Sequence, residues 1–273
     1  MPSVSVIITY HNRSRLVEET LNSVWAQTWQ PQEVIVVDDC SRPEEAVALD
    51  RVAGRARVIH LKENLGTAVA RNIGIRESSG DLIALLDDDD IWLPEKLAVQ
   101  LEYLEKNPQA EIIHTGVTAF FRDGREAVYI NKESPLTLSP SSVEIAQIVP
   151  STMVARREVF DKTGLYDEDM RLHEDVEFQV RCLAMGVRVE FIPQSLVRFR
   201  RLGHGNVTAS KWDRHWRAHR FIFHKHEASY RAAYGENAQR KHVAYLLRYC
   251  GNKNGGLWGR TLSVAGRMVG LLS

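Results

Sequence analysis

The apolar run Leu82-Ile83-Ala84-Leu85-Leu86 ends on four consecutive aspartates, Asp87 to Asp90, and that junction constrains the fold more than any other feature of the chain. Five apolar residues after the turn at Gly80-Asp81 read as a strand buried on both faces, as in a parallel sheet. The carboxylates then emerge at its C-terminal tip, where open α/β sheets place ligands. Carboxylates packed this closely repel one another unless a cation compensates. Hard oxygen donors in a short cluster suit Mg²⁺ or Mn²⁺, ions that complete their shell with water and substrate phosphates. A solvated acidic loop is the alternative. The apolar strand before the cluster, and Ile91-Trp92-Leu93-Pro94 after it, read as a helix start with proline near its first turn, favour a site.

The rest of the first half repeats the rhythm of strand and helix. Val4 to Thr9 reads as a first buried strand, followed by a helix over Ser14 to Gln27 with Leu16, Val17, Leu21, Val24 and Trp25 at helical spacing. Glu33 to Val37 is a second strand ending on Asp38-Asp39. A short helix from Pro43, a third strand over Ala56 to Leu61 and a helix over Thr67 to Glu77 lead to the aspartate-tipped fourth strand. Strands alternating with helices indicate a parallel sheet with right-handed crossovers. Beyond a helix over Glu95 to Lys106, Glu111 to Phe121 is read as a strand, with a hairpin turn at Arg122 to Arg125 into Glu126 to Ile130. Asn131 to Ser142 is a loop, Ser151 to Arg156 a short strand, and Asp175 to Met185 a helix with Val176, Val180, Leu183 and Ala184 inward. Val187 to Phe191 and Leu196 to Phe199 close the sheet as two strands. From Lys211 the pattern turns to helices, and a boundary is placed near residue 208.

Charge divides the same way. Residues 211–273 hold 12 Lys and Arg against 3 Asp and Glu, and the preceding 210 hold 23 against 32, so a basic tail follows an acidic body. Three cysteines, Cys40, Cys182 and Cys250, have neither disulfide-framework nor zinc-type spacing, which fits a reducing, cytoplasmic setting. Neither a signal peptide nor an apolar run of about 18 residues is present, so no membrane span is predicted.

Three strand tips converge on one sheet edge: Thr9-Tyr10-His11-Asn12, Asp38-Asp39-Cys40-Ser41 and Asp87 to Asp90. Together they have the parts for a nucleotide, with Thr9 and Tyr10 lining a base and Asp39 accepting from a base N–H or ribose hydroxyl. Helix capping by Asp38 or Asp39 is the competing role, and Ser41 before Pro43 would serve it equally well. Arg71, one turn into the helix that opens at Asn64-Leu65-Gly66-Thr67, offers a planar fork to phosphate or a base carbonyl. There is no G-x-G-x-x-G after the first strand and no P-loop motif.

Those same stretches carry a resemblance. The chain resembles a family 2 glycosyltransferase of the GT-A fold in Ser5 to Asn12, in Ser23-Val24-Trp25-Ala26-Gln27-Thr28 running into Glu33 to Ser41, and in Asn64-Leu65-Gly66 with Ala70 to Gly74. Leu86 to Asp90 with Trp92-Leu93-Pro94, and Glu174-Asp175-Val176-Glu177-Phe178 with Arg181, extend it, so that roughly residues 3 to 208 follow the family's order. The resemblance implies an α/β GT-A domain over 1–208, with a nucleotide-binding half over 1–110, an acceptor-binding half over 111–208, and a C-terminal helical extension over 209–273. It implies an inverting, metal-dependent, hexosyltransferase-type enzyme that moves a sugar from a nucleotide-diphosphate sugar, UDP-linked by preference, to the hydroxyl of a glycan or glycolipid in surface polysaccharide synthesis.

Roles follow residue by residue. Thr9, Tyr10 and Asp39 would hold base and ribose, and Arg71 the base or diphosphate. Asp87 and Asp89 match the outer members of the family's D-x-D element. Asp87 and Asp88 are then assigned to the nucleotide and Asp89 to Mn²⁺ or Mg²⁺, although four aspartates in register leave neighbouring carboxylates interchangeable. Asp175 would be the general base, with Glu174 in reserve. Read on its own, His173-Glu174-Asp175 is equally a helix N-terminus with acids complementing the dipole. His204, in the glycine-rich loop Arg200 to Thr208, would close on metal or diphosphate, and Arg200 and Arg201 would assist the diphosphate.

The tail interleaves Trp212, Trp216, Phe221, Phe223, Tyr230 and Tyr234 with basic residues, and residues 257–269 form an amphipathic pattern with Arg260 and Arg267 on one face. Such a tail packs on the body, self-associates, or lies peripherally on the inner face of an anionic membrane. Nucleic acid is not expected, since no recognition motif accompanies the charge. Two rival functions are a metal-dependent nucleotidyltransferase, against which the absence of glycine in Thr9 to Arg15 weighs, and a non-catalytic nucleotide- or sugar-binding module.

Overall fold

The computed structural model describes residues 2–121, 123–129, 136, 138, 148–201 and 212–254. They divide into two compact units. The first comprises Met1–Leu136, Ile148–Arg171 and Val187–Leu202, and the second Thr137–Gln147, Leu172–Gly186 and Gly203–Ser273.

The first unit is built on β1 (Val4–Tyr10), whose alternate side chains are buried on both faces. It pairs in parallel with β2 (Glu33–Asp38) on one side and β4 (Leu82–Asp87) on the other, and β2 carries β3 (Arg57–His60) outside it. Helices α1 (Ser14–Trp25), α2 (Pro43–Val52) and α3 (Thr67–Glu77) make the crossovers. Register fixes the tips: Thr9 lies opposite Asp87, and Tyr10 opposite Asp38. A one-residue slip would turn every apolar side chain of β1 to the wrong face, so this alignment is strongly determined. Gly74 lets α3 lie close on the sheet, since a Cβ there would collide with Cγ2 of Ile7.

Beyond β4 the sheet becomes mixed, in the order β3-β2-β1-β4-β8-β6-β9-β5, with β7 on β6. The remaining elements of the unit are β5 (Ile91–Trp92), α4 (Lys96–Lys106), β6 (Ile112–Phe121), β7 (Glu126–Tyr129), a 3₁₀ turn (Pro150–Thr152), β8 (Val154–Arg156), α5 (Arg157–Thr163) and β9 (Val189–Arg201). The α/β sheet, parallel over β3-β2-β1-β4, agrees with the expected fold class.

Local corrections have physical causes. Ile91-Trp92, expected to begin a helix, instead pairs antiparallel with Arg198 and Val197 of β9, and α4 starts only at Lys96. The two strands expected over Val187 to Phe199 are one, β9, because the register against β6 jumps from Thr115↔Ile192 to Gly116↔Ser195. Pro193 and Gln194 bulge out, which is how a proline survives within a strand. Of the strand expected over Ser151 to Arg156, Ser151 and Thr152 lie in the 3₁₀ turn and β8 starts only at Val154, and α5 was not foreseen.

Helix α1 is fixed by a polar stripe as well as its apolar face. Thr20 Oγ1 donates to the Asp90 carbonyl at 2.9 Å, Ser23 Oγ accepts the Trp92 N–H at 3.1 Å, and Gln27 Nε2 donates to the Leu93 carbonyl at 2.7 Å. Gln27 Oε1 also accepts the Leu97 N–H at 3.0 Å. All three side chains are buried, so each bond satisfies a group that water cannot reach.

The second unit contains α6 (Glu174–Ala184), α7 (Trp212–Lys225), α8 (Glu227–Tyr234) and α9 (Ala238–Asn254). On α6 the buried residues are Val176, Glu177, Phe178, Gln179, Val180 and Cys182, whereas Leu183 and Ala184, expected inward, are only half-buried. Glu177 is wholly buried and accepts from His226 Nε2 at 2.8 Å, Lys225 Nζ at 2.9 Å and Arg181 Nη2 at 2.9 Å, tying α6 to the α7–α8 junction. His173 Nε2 lies 2.8 Å from His215 Nδ1, with its ring 4.3 Å from that of His219, and Phe223 stacks on His242 at 4.4 Å. Among the described residues, no helix is long and apolar enough to cross a membrane. Residues 257–269 and the greater part of the loop at 131–142 lie outside the described residues.

Candidate active site

At the tips of β1 and β2 the backbone makes tight left-handed turns: Asn12 and Cys40 both adopt φ 56°. Non-glycine residues pay a steric cost there and hold it where the surroundings over-determine the turn. Asn12 is so held, its N–H donating to Ser41 Oγ at 2.9 Å and its Oδ1 accepting the Arg42 N–H at 2.8 Å. These bonds tie the β1 and β2 tips to each other.

Asp38 is a cap. Its Oδ1 accepts the Ser41 N–H at 3.0 Å, and its Oδ2 faces His60 Nδ1 at 2.8 Å, which raises the imidazole's affinity for its proton. Asp39 reaches across to the next loop: Oδ1 accepts the Leu65 N–H at 2.7 Å and Oδ2 the Gly66 N–H at 2.8 Å. Gly66 has φ 90°, and a Cβ there would press on Arg171, so the loop entering α3 depends on glycine. Thr9 is half-buried at the edge. Tyr10 is 1% exposed, its ring in the core and its hydroxyl 3.0 Å from Glu45 Oε2. The same carboxylate accepts the Ser14 N–H at 2.9 Å, capping α1 from α2. His11, whose role the sequence left open, donates its N–H to Asp88 Oδ2 at 3.1 Å and sets its ring against the Asp39 carbonyl at 3.0 Å.

The four aspartates differ in their partners. Asp87 Oδ1 accepts from Arg71 Nη2 at 2.8 Å; Arg71 is 4% exposed and lies over the Tyr166 ring. Asn72 fixes Tyr166 in turn through both backbone groups. Arg13 Nη1 donates to Asp88 Oδ1 at 2.9 Å and to Asp89 Oδ2 at 2.8 Å. Asp90 is fully buried, accepting from Ser151 Oγ at 2.5 Å and from the Arg200 N–H at 3.1 Å. Ser151 Oγ also accepts the Asp87 N–H at 3.1 Å, and Arg200 Nε donates to the Asp89 carbonyl at 3.1 Å.

Burial dominates their ionisation. It pushes the Asp88 carboxyl up to about 7 against the pull of Arg13, and raises Asp89 as well. Asp90 is driven well above the usual carboxylate range by burial, then by repulsion from Asp87 and Asp89. The cluster thus holds more potential negative charge than its surroundings neutralise.

Among the described residues, no group of three or more His, Cys, Asp or Glu side chains is arranged to hold a metal ion. The donor chemistry fits a hard cation nonetheless. Asp87 meets Arg71 through Oδ1 and Asp89 meets Arg13 through Oδ2, so each carboxylate has a second oxygen to offer. Two carboxylates with the remaining shell from water and phosphate is the usual Mg²⁺ arrangement.

The first unit therefore brings together Thr9, Tyr10, Asp39, Arg71, Asp87, Asp88 and Asp89. Asp175 and Glu174 belong to the second unit, at the N-terminus of α6, where Asp175 Oδ1 accepts the Val176 N–H at 2.9 Å. The preceding residue, His173, is left-handed at φ 63°. His204 lies outside the described residues. Arg13, Ser151 and Glu45 were missed from sequence. Arg13 and Ser151 act on partners 61 to 76 residues away, a separation without periodic signal.

A sequence profile described as Glycosyl transferase family 2 matches residues 5–164. An uncharacterized glycosyltransferase of Haemophilus influenzae is 34% identical over 184 residues, 66% of this chain and 62% of its own length. A putative teichuronic acid biosynthesis glycosyltransferase of Bacillus subtilis, TuaG, is 29% identical over 77% of this chain and 83% of its own. Among solved structures, S. aureus TarS residues 1–349 in complex with UDP-GlcNAc superposes with a TM-score of 0.69 at 20% identity, covering 92% of this chain and 72% of that one. The complex of the same protein with UDP gives 0.69 at 18% identity, covering 90% and 71%. At these identities the structural likeness concerns the GT-A fold of those proteins.

Proposed function

The chain belongs to glycosyl transferase family 2, and from that membership we propose that it is an inverting, hexosyltransferase-type enzyme moving a sugar from a UDP-sugar to a hydroxyl of a surface glycan or glycolipid. The observation that carries this reading is the convergence of Asp39, Arg71 and the Asp87–Asp89 carboxylates at adjacent strand tips, with Arg71 buried against Asp87. The UDP and UDP-GlcNAc complexes of TarS, and the teichuronic acid assignment of TuaG, support the choice of nucleotide and product class.

In this reading the half over 1–110 holds the donor and the half over 111–208 the acceptor. Thr9, Asp39 and the loop that Asp39 holds border the nucleoside, and Tyr10 secures the β1 tip on which they depend. Arg71, Asp87 and Asp88 serve ribose and diphosphate. A divalent cation, Mn²⁺ or Mg²⁺, held by Asp89 with Asp87 would supply positive charge to the departing diphosphate. Asp175 takes the proton from the acceptor hydroxyl as its oxygen bonds to the anomeric carbon. The bond from that carbon to the phosphate oxygen breaks on the opposite face. His204 would join the metal or diphosphate, and the basic tail would place the enzyme peripherally on a membrane or against a second copy.

Thermal stabilisation by a panel of nucleotide sugars with Mn²⁺ tests the reading, because a ligand that binds only the native state raises its melting temperature. UDP-sugars should stabilise most. Stabilisation by GDP- or dTDP-sugars alone would reassign the donor, and a flat response across the panel would remove the enzymatic reading.

A further inference from the structure

Arg13 stands where a helix normally avoids positive charge. It is the N-cap of α1, a position that favours Ser, Thr, Asp or Asn and whose dipole disfavours a cation. Arg13 makes no side-chain cap there; the Ser14 N–H is met by Glu45 from α2 instead. The guanidinium turns to the aspartates, where the one nitrogen Nη1 donates to Asp88 at 2.9 Å and to Asp89 at 2.8 Å. Arginine–carboxylate pairs are frequently bidentate, with two parallel N–H groups on one partner. Arg13 instead places a single nitrogen between the carboxylates of two adjacent residues, as a point charge would sit. Arg13 is also the most accessible of the three, its side chain 29% exposed against 7% and 12% for the aspartates. The turn that aims it is fixed by the bonds of Asn12 to Ser41 and Arg42.

We propose that Arg13 is a resident counter-cation that competes with the divalent ion for Asp89 and, once displaced, turns its guanidinium to the donor diphosphate. This deepens the preceding reading and rests on its assignment of Asp89 to the metal. The two sites overlap at Asp89, since Arg13 pairs with Asp88 and Asp89 and the dication is assigned to Asp89 with Asp87. Two cations on one carboxylate repel, so the guanidinium loosens as the ion enters. The released guanidinium lies at the positive end of α1, where phosphate oxygens are favoured, and its fork suits them. The exchange adds net positive charge at the moment that the diphosphate brings negative charge. Metal and donor therefore bind with positive coupling, each easing the other's entry.

Calorimetric titration of the full chain with Mn²⁺ alone, followed by titration with UDP at saturating Mn²⁺, tests the exchange in wild type, Arg13→Gln and Asp89→Asn. Arg13→Gln should bind Mn²⁺ roughly fivefold or more tightly, the worth of about one lost ion pair, and bind UDP more weakly. Effects of opposite sign are the signature, since a residue with a merely structural role would weaken both. Unchanged or weaker Mn²⁺ binding in Arg13→Gln would overturn the competition, and undiminished UDP affinity would overturn the transfer to diphosphate. If Asp89→Asn binds Mn²⁺ like wild type, the metal assignment fails instead. A second measurement needs no variant: Mg²⁺ titrated into the wild-type chain should move the Arg13 side-chain ¹⁵N resonances, and saturation of Mg²⁺ binding without that movement would refute the exchange.

Discussion

A cluster of buried carboxylates in the first unit and a single one in the second are held in opposite electrostatic states. At the β4 tip Asp88, Asp89 and Asp90 are all pushed towards the neutral form, first by burial. Burial acts on Glu177 in the same sense, but hydrogen bonds from His226, Arg181 and Lys225 outweigh it and hold that carboxyl at about 2. The difference is stoichiometry. Glu177 is one acid among several cationic donors and needs nothing more, whereas the tip sets four acids against Arg13, Arg71 and Arg200. An over-satisfied carboxylate is a fastener; an under-satisfied cluster is prepared for a ligand that brings positive charge.

Experiments can break that contrast, and the largest effects belong to catalysis. Asp175→Asn should lower the rate of transfer by about 10²–10⁴-fold, the usual worth of a general base, while UDP binding persists; full transfer by that variant would move the base elsewhere. Asp89→Ala should abolish metal-dependent UDP binding while leaving the fold intact by circular dichroism, and an unaltered metal response in calorimetry would remove Asp89 from the metal. Glu177→Gln should instead cost stability, about 3–5 kcal/mol in urea unfolding, because three donors lose a buried charge.

Acid should act on the second unit in two stages. His242, flanked by Phe223, Tyr230 and Tyr245 and influenced by His224 and Arg220, is lowered to about 4 by burial. A lowered folded-state value means that its contribution is complete above the ordinary 6.5 and is lost as pH falls through 4. Glu177 follows by the same sign, its contribution complete above 4.5 and lost towards 2. Hydrogen exchange over α7–α9, corrected for intrinsic rates, should speed up between neutral pH and about 5; constant protection would show that the histidines do not limit opening. The smallest effect is expected of Asp88→Asn, within about 1 kcal/mol in the ligand-free chain, since its partner Arg13 is partly solvated.

Much of this was legible in sequence because it is periodic or local. The strands β2 and β4 carry continuous apolar runs and β1 is broken only by Ser5 before its polar tip, and the Thr67–Glu77 helix was read to the residue. Charges at a strand's end announce themselves by position. What escaped was long-range pairing. Ile91-Trp92 becomes a strand only because β9, more than 100 residues later, supplies a partner, and the Pro193 bulge exists only against β6. Arg13 was invisible for a related reason, since its meaning lies in two aspartates 75 and 76 residues away. The inward face of α6 was misjudged at Leu183 and Ala184 because burial there extends to polar residues such as Glu177 and Gln179, which no hydrophobic pattern reports.

Helix α1 has a mechanical consequence. At one end Arg13 grips Asp88 and Asp89; along its length Thr20 and Ser23 hold Asp90 and Trp92; past its other end Gln27 holds Leu93 and Leu97. Twelve residues of helix span about 18 Å, so the segment from the acid tip to the start of α4 is braced by one strut along its whole run. The tip, the Ile91-Trp92 strand and the start of α4 are thus set against one rigid element rather than hung on a slack loop.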